Sequence, residues 1–389
     1  MAFHDGGVAK CESCHTMHNS NAGVQMNANV GAYLLQGSDQ SSACLNCHGK
    51  GSTLSGYHVK TQGVGASGVP ANFTPGGDFS WTMIDCQSNA TRNSARGHNI
   101  ISLDQGMPAD SRLTAAPGGT YPAANLACSS CHDPHGKYRV DEAGTVATSG
   151  APISSSGSYG AAAGAGEAVG AYRILGGVGY LPKSLADAGL SANAFANTVP
   201  AAVAPSSYNT AVAGGARVAY GSGMSEWCAN CHSNFHQTGQ ASASFGAHPA
   251  GNGYKLGAAV AANYNAYVSS GKMTGDVATS NSNLVPFEAG LGQSVADKAA
   301  MVALVTATTG PDANANVMCL SCHRAHASGH ESMLRWNQGN TLLTDGAGLY
   351  SVEPGLADQA VNVASYQNVP SATFGAEQRS LCNKCHAKD

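Results

Sequence analysis

The run Cys-Glu-Ser-Cys-His at 11–15 decides how this chain is built, because the pattern Cys-x-x-Cys-His recurs five more times. The six runs occupy 11–15, 44–48, 128–132, 228–232, 319–323 and 382–386, and they use twelve of the 13 cysteines. This pattern is the attachment signature of c-type haem, in which both thiols add to porphyrin vinyl groups and the histidine becomes the proximal iron ligand. The sequence therefore predicts six covalently attached haems.

The pattern assigns the attachment residues directly. The predicted thioether cysteines are Cys11, Cys14, Cys44, Cys47, Cys128, Cys131, Cys228, Cys231, Cys319, Cys322, Cys382 and Cys385. The predicted proximal ligands are His15, His48, His132, His232, His323 and His386. Zinc sites and disulfide frameworks also use paired cysteines, but zinc does not require a histidine after each pair, and closely spaced pairs are more often redox or metal sites. Cys86, the remaining cysteine, is expected to be a free thiol in a polar loop.

Composition predicts a mostly irregular chain with a haem core. The 389 residues include 49 glycines, and only 6% are aromatic, so few large side chains are available for a conventional core. We expect one multihaem unit over 1–389, mostly coil and turn, with short helices at the motifs. A flexible linker is the alternative for Gly/Ala/Ser-rich stretches such as 154–165.

Few regular elements are predicted between the motifs. Apolar periodicity favours a helix at 297–308 and, more weakly, at 181–188. Pro-Gly-Gly at 75–77 and at 117–119 predicts turns. The motif spacing is uneven, so no strict repeat is expected, and the terminal haems should lie at opposite poles if haem order follows chain order.

Charge and hydropathy argue against a nucleic-acid-binding protein and against a membrane-spanning one. The formal charge is −4, and haem propionates add to it, so nothing favours nucleic-acid binding. No apolar run has the length of a membrane span. No export signal precedes the first motif, although c-type haem is attached outside the bacterial cytoplasm, so we expect the sequence of a mature, exported chain.

The sixth iron ligand decides between electron transfer and small-molecule chemistry. Nine histidines lie outside the motifs, more than six irons need, which predicts bis-histidine ligation throughout. The first-choice distal ligands are His18, His98, His135, His236, His248 and His326, with His58 and His4 in reserve. Of these, His18, His135 and His326 lie three residues after a proximal histidine, on the same helical face, so each can ligate only a neighbouring haem. His330 is expected at the surface or beside a ligand.

Several segments resemble a known family, the hexahaem outer-surface c-type cytochromes that polymerise into conductive filaments. The resemblance covers essentially the whole chain and rests on CESCHTMHNS (11–20), APGGTYPA (116–123), CSSCHDPHGKYR (128–139), GAYRILGG (170–177), HPAGNG (248–253) and CLSCHRAHAS (319–328). It implies bis-histidine haems in stacked and T-shaped contacts, and head-to-tail polymerisation. It also implies that His18 ligates a haem of the adjacent subunit.

The predicted function is electron transfer without catalytic residues. We expect a filament at the outer cell surface, exported through the periplasm, that carries electrons from envelope cytochromes to extracellular acceptors such as metal oxides or partner cells. Its own copies are the main partners. Two alternatives remain: a multihaem reductase with one haem left five-coordinate, and a monomeric periplasmic electron shuttle.

Overall fold

The protein is described by a computed structural model that covers most of the chain. The described residues are 11–18, 20–21, 24–25, 33–49, 57–61, 69–70, 73–86, 95–205, 217–236, 249–266, 285–307, 309–351, 359–374, 376–380 and 382–385. Turns, bends and irregular backbone make up most of these ranges, with short helices and small sheets between them. This agrees with the predicted fold class.

The helices of the described ranges are short, and several coincide with motifs. They are α1 (Gln40–His48), α2 (Lys183–Asp187), α3 (Met224–Cys228), α4 (Gly257–Ala266), α5 (Val295–Leu304), α6 (Cys319–Cys322), α7 (Gln359–Ser365) and α8 (Cys382–Cys385). Helix α1 contains the second motif, and α3, α6 and α8 contain cysteines of the last three. The first and third motifs begin in 3-10 turns, Cys11–Ser13 and Cys128–Ser130.

Helix α5 confirms the helix predicted at 297–308, with different ends. The Ser294 hydroxyl accepts the N–H of Asp297 at 3.1 Å and donates to its carboxylate at 2.7 Å, so the helix starts earlier than predicted. It ends at Leu304. The weaker prediction at 181–188 corresponds to α2, which starts directly after Pro182.

The strands form three small sheets in the described part of the chain. Strands β1 (Ser20–Asn21) and β2 (Val24–Gln25) are antiparallel, as are β7 (Ala201–Val203) and β8 (Ala219–Ser222). A four-stranded sheet has the order β4 (Val146–Ala147), β3 (Arg139–Asp141), β6 (Ala168–Gly170), β5 (Ile153–Ser155). Because β5 and the 3-10 turn Gly157–Tyr159 lie within it, the stretch at 154–165 is not a flexible linker.

Both predicted Pro-Gly-Gly turns are present. Gly77 has a φ of +86° and donates its N–H to the Thr74 carbonyl at 2.9 Å. Gly118 has a φ of +66°, and Gly119 donates to the Ala116 carbonyl at 2.9 Å. Glycine adopts these left-handed angles without the steric cost that a side chain brings.

The apolar interior of the described residues is divided into small clusters, several of which lie beside motif cysteines. One cluster packs against Cys322 and Cys385, and a second packs against Cys228. A third includes Cys131 and Cys231 at its edge. The largest apolar groups of a haem protein are its macrocycles, so clusters that end at the attachment cysteines are typical of a haem-cored fold.

Candidate functional site

The proximal histidines of the described ranges share one orientation, in which Nδ1–H donates to a main-chain carbonyl. The acceptors and N···O distances are Tyr33 for His15 (2.6 Å), Tyr57 for His48 (2.7 Å), Arg173 for His132 (2.8 Å), Pro117 for His232 (2.8 Å) and Ser332 for His323 (2.7 Å). A hydrogen bond at Nδ1 leaves the Nε2 lone pair for a metal and fixes the plane of the ring. His386 lies outside the described residues.

In motifs one, three and five a second segment, which contains a bulky apolar residue followed by leucine, is bound to the motif by two backbone hydrogen bonds. We call this pair of hydrogen bonds the bracket, and it holds the carbonyl that accepts from the histidine. The residue after the histidine donates its N–H to the carbonyl of the apolar residue, and the residue after the leucine donates to the second motif cysteine. The donor–acceptor pairs are Thr16–Leu34 (2.7 Å) and Gln36–Cys14 (2.8 Å), Asp133–Ile174 (2.7 Å) and Gly176–Cys131 (3.0 Å), and Arg324–Met333 (2.8 Å) and Arg335–Cys322 (2.9 Å).

The brackets depend on left-handed backbone at residues other than glycine. The φ angles are +52° at Arg173, +49° at Ile174, +54° at Ser332 and +59° at Met333, and Leu34 has +49°. Such angles cost energy and persist only where the surroundings enforce them. Here the two hydrogen bonds on either side enforce them, and the carbonyl is thereby aimed at the histidine ring.

Motifs two and four use other loops for the same purpose. Val59 donates its N–H to the His48 carbonyl at 2.9 Å, which holds the Tyr57 carbonyl beside the ring. In motif four the acceptor belongs to the predicted Pro-Gly-Gly turn, and a Cβ at Gly119 would overlap the carbonyl oxygen of Cys231. Glycine is therefore required there for the turn to approach the motif.

Adjacent motifs are joined in the pairs two–three and four–five by equivalent serine contacts. Ser41 lies three residues before Cys44, and its hydroxyl accepts the N–H of Cys128 at 3.1 Å. Ser225 lies three residues before Cys228, and its hydroxyl accepts the N–H of Cys319 at 3.1 Å.

The side chains of each pair also influence one another electrostatically, Cys44 with Cys128 and Cys228 with Cys319. In both pairs the predicted attachment points of two successive haems are therefore neighbours.

The sequence carries a signal for this alternation that the uneven motif spacing hides. Motifs one, three and five read Cys-x-Ser-Cys-His-x-x-His, at 11–18, 128–135 and 319–326, whereas motifs two, four and six have Asn or Lys before the second cysteine. In motifs three and five that serine caps its own turn: Ser130 accepts the N–H of Ala127 at 2.9 Å, and Ser321 accepts that of Met318 at 3.0 Å. The local structure repeats although the linear spacing does not.

Three proximal histidines face a second histidine ring at a common distance. The ring centres of His15 and His135 are 6.5 Å apart, those of His132 and His326 are 6.4 Å apart, and those of His98 and His232 are 6.0 Å apart. A metal–imidazole bond is about 2 Å long, so two imidazoles on opposite sides of one metal atom have ring centres roughly 6 Å apart. All three pairs therefore have room for one iron between the rings.

The other distal candidates are placed differently. His18 is exposed, and no described histidine ring faces it or His323. His236 has its Nε2 atom 3.4 Å from a carboxylate oxygen of Glu226. His58 is half-buried and is one of the groups that lower the pKa of His48. His4 and His248 lie outside the described residues.

His330 is not at the surface, so that part of its prediction is wrong. Its exposed fraction is 1%, and its ring centre lies 4.8 Å from that of Tyr366. The prediction assumed that the chain continues as a helix after His326. In the structure the chain contains Gly329 and bends there instead. The Ser328 hydroxyl accepts the main-chain N–H of His330 at 3.2 Å.

Burial keeps the best-enclosed imidazoles neutral. Removal from water lowers the pKa of His98 to about 4 and that of His326 to about 3. The pKa values of His48 and His323 are lowered for the same reason. The neutral form is the one that can donate a lone pair to iron, so the environment favours ligation.

Two buried guanidinium groups fit the acidic groups that haem would bring. Arg324 and Arg335 are each 2% exposed, and no carboxylate of the described ranges pairs with either. Arg335 Nε donates to the carbonyls of Leu320 (2.6 Å) and His323 (3.1 Å), which leaves Nη1 without a protein partner. A buried cation normally has an anionic partner, and each haem carries two propionates.

The paired cysteines form neither disulfides nor a cluster that could hold a bare metal ion in the part of the chain that the structure describes. None of the twelve motif cysteines forms a disulfide. Within the described ranges, no cluster of three or more His, Cys, Asp or Glu side chains is arranged to hold a bare metal ion. No helix in the part of the chain that the structure describes is long and apolar enough to span a membrane.

Comparison with known proteins gives close relatives over the full chain, although no family model matches. The sequence is 49% identical over 415 residues to the C-type cytochrome OmcS of Geobacter sulfurreducens, an alignment that covers 100% of this chain and 95% of that protein.

Two solved filament structures have a similar fold. The OmcS nanowires of Geobacter sulfurreducens, solved by cryo-EM, match with a TM-score of 0.85 at 47% identity. A structure of the Outer Membrane Cytochrome S filament from the same organism matches with a TM-score of 0.82 at 45% identity. Each match covers 100% of both chains. The chain thus belongs to the OmcS family of c-type cytochromes.

Proposed function

We propose that this cytochrome binds six bis-histidine haems and polymerises head to tail into an extracellular filament that conducts electrons. The family and the six motifs support haem binding, and the relatives' filaments support assembly. Electron tunnelling falls steeply with distance, so a wire needs haems in near contact within each chain and across each boundary between chains. Export through the periplasm, where haem is attached, and transfer to extracellular acceptors belong to the same proposal.

One regularity carries the proposal: each odd-numbered motif presents its second histidine to the proximal histidine of the odd-numbered motif before it. His135 of motif three faces His15 of motif one, and His326 of motif five faces His132 of motif three. If the same rule applies to motif five, His323 must face the second histidine of an odd-numbered motif in another chain. His18 is the equivalent histidine of motif one, and it is exposed. We therefore assign the sixth ligand of haem five to His18 of the next subunit.

The even-numbered haems follow a second rule with the same period. His98 lies between motifs two and three and faces His232 of motif four. The equivalent segment one repeat later, between motifs four and five, contains His236 and His248, and the segment before motif one contains His4. Since His236 is next to Glu226, we assign His248 to haem six and His4 to haem two. His58 is then not an axial ligand.

The protein's own groups prepare these sites for haem. The carbonyls at Nδ1 orient the proximal rings, and burial keeps the distal rings neutral. Arg324 and Arg335 would hold propionates and place positive charge beside the haem-five site. Bound haem supplies a one-electron iron couple, and bis-histidine ligation gives it a lower potential than Met/His ligation.

The variant His18→Ala tests assembly and ligation together. We expect short or no filaments by electron microscopy and one high-spin haem per chain by EPR, because the fifth iron loses its sixth ligand. His236→Ala is the matched control and should give normal filaments without a high-spin signal. Normal filaments from His18→Ala with every haem low-spin would overturn the ligand assignment. An open haem in wild-type filaments would instead favour the reductase, and wild-type protein that stays monomeric would favour the shuttle.

A further inference from the structure

Glu288 is a fully buried carboxylate at the junction of the fourth and fifth motifs. Its exposed fraction is 0%. One carboxylate oxygen accepts the main-chain N–H of Met224 at 2.6 Å, and the other accepts the side-chain amide N–H of Asn316 at 2.5 Å. The backbones of Glu288 and Asn316 also exchange two hydrogen bonds, at 3.0 and 2.9 Å. The carboxylate is therefore held in one position.

Both hydrogen-bond partners of the Glu288 carboxylate lie a few residues before a predicted haem attachment cysteine. Met224 is the first residue of α3, four residues before Cys228, a distance of about 6 Å along the helix. Asn316 lies three residues before Cys319, the first residue of α6. The charge of Glu288 reaches the sulfur of Cys319, and Ser225 ties the two helices together.

The charged and titratable groups around Glu288 come from several elements. Glu226 is on α3, Cys319 is on α6, and Tyr220 lies on β8, whose backbone pairs with that of Glu288. Lys255 is exposed, and its ammonium donates to the Asn316 side-chain oxygen at 2.9 Å. Lys255 is thus the cation whose field reaches Glu288 from the surface side.

We propose that Glu288 takes up one proton from solvent when the haem pair of motifs four and five accepts an electron, so that electron transfer through this pair is coupled to proton transfer. The carboxylate gains the proton and becomes a carboxylic acid, and the electron would be held by the one-electron iron couple of a haem attached at Cys228 or Cys319. The wire supplies the electron and water supplies the proton. The inference rests on the proposed function in one respect, because it needs haems at these two motifs.

The environment of Glu288 suits this exchange. Burial raises its pKa to about 7, against the two hydrogen bonds and Lys255, which favour the ionised form. Each carboxylate oxygen has a second lone pair, so a proton can be added without breaking either hydrogen bond. In a poorly screened interior, an added electron nearby raises the proton affinity of the carboxylate further.

Potentiometric titration of the holoprotein between about pH 5 and 9 tests the proposal. In the wild type, part of the reduction curve should shift to lower potential as the pH rises through neutrality, because an ionised Glu288 opposes the electron. Glu288→Gln should abolish that shift and lower, by a fraction of a proton per chain, the number of protons taken up on full reduction at neutral pH, because a group with a pKa of about 7 is already partly protonated there. Glu226→Gln, in α3 and partly exposed, should keep the shift but move its inflection to lower pH, because one neighbouring negative charge is removed.

A second variant keeps the test decisive if Glu288→Gln folds poorly. Lys255→Met removes the nearby cation and should move the inflection to higher pH. An unchanged pH dependence in Glu288→Gln, or an unmoved inflection in Lys255→Met, would overturn the inference. A haem count by mass spectrometry separates this failure from that of the proposed function: fewer than six haems contradicts the proposed function, whereas six haems with unchanged pH dependence contradicts only the role of Glu288.

Discussion

Gly119 lies where the turn at 117–119 packs most closely against the backbone of motif four. The turn at 117–119 brings the Pro117 carbonyl to His232, and a Cβ at Gly119 would meet the Cys231 carbonyl. We expect Gly119→Ala to lower the free energy of unfolding by about 1–3 kcal/mol, because the turn must move away from the motif. Gly253→Ala is the control, since a Cβ there has open space around it. Chemical denaturation measures both, and equal stabilities would show that the turn adapts without cost.

Lys298 gives a pH-dependent prediction at the same scale. It is 3% exposed, its ammonium donates to the carbonyls of Gly157 (3.1 Å) and Ala161 (3.2 Å), and burial lowers its pKa from 10.5 to about 8. Between these values the unfolded chain binds more protons than the folded one, so this residue makes stability rise with pH across that window. At neutral pH the buried charge costs about 3 kcal/mol.

Lys298→Met should remove that dependence. We expect the difference in melting temperature between the variant and the wild type to be largest near neutral pH and to shrink as the pH rises from about 8 to 10.5. Lys183→Met replaces a half-exposed lysine and serves as the control. A difference that does not change with pH would mean that burial does not lower the pKa of Lys298 and would contradict the prediction.

Single residues also mark how far sequence reasoning reached. The attachment cysteines and proximal histidines are predicted from the motif alone, because covalent attachment would fix their spacing, and this assignment stays a prediction. The positions of the His330 and His236 rings could not be predicted, because the spacing of a histidine from a motif does not show where the chain turns next. In the structure the His330 ring lies against Tyr366, and the His236 ring lies beside Glu226. The assignment of the distal ligands remains a prediction.

At the scale of elements, the serine contacts between motifs are the repeated feature. Ser41 and Ser225 are both fully buried, and each satisfies the N–H of a motif cysteine. Ser225→Ala leaves the N–H of Cys319 buried and unsatisfied, so we expect a loss of about 1–3 kcal/mol in the free energy of unfolding. Ser233→Ala, at an exposed position, should have no comparable effect. A neutral Ser225→Ala would show that packing alone aligns the two motifs.

The sequence predicted elements best where the signal was local. Helix α5 and the two Pro-Gly-Gly turns were found from periodicity and turn chemistry, although the start of α5 depended on the cap at Ser294. Helices α4 and α7 and the four-stranded sheet were not predicted. The strands of this sheet are two or three residues long, too short for an alternating pattern to be distinct in a chain rich in alanine and glycine.

At the scale of the whole molecule, three repeats of an odd–even motif pair explain both the fold and its polymerisation. Neighbouring repeats are joined by the contacts of Ser41 with Cys128 and of Ser225 with Cys319, and in the proposed assignment also by haem ligands. In that assignment, motifs three and five each supply a ligand to the odd-numbered motif before them, and motif five requires motif one of another chain. An interface of this kind, between different faces of identical subunits, extends indefinitely unless rotation closes it into a ring.

Cryo-EM of the wild-type filament, at a resolution that separates axial ligands, tests this account most directly. We expect six bis-histidine haems per chain, with His135, His326 and His98 opposite His15, His132 and His232. The iron of motif five should be ligated by His323 of one chain and by His18 of its neighbour. A fifth iron ligated by two histidines of one chain, or a filament joined with His18 away from any haem, would contradict the account.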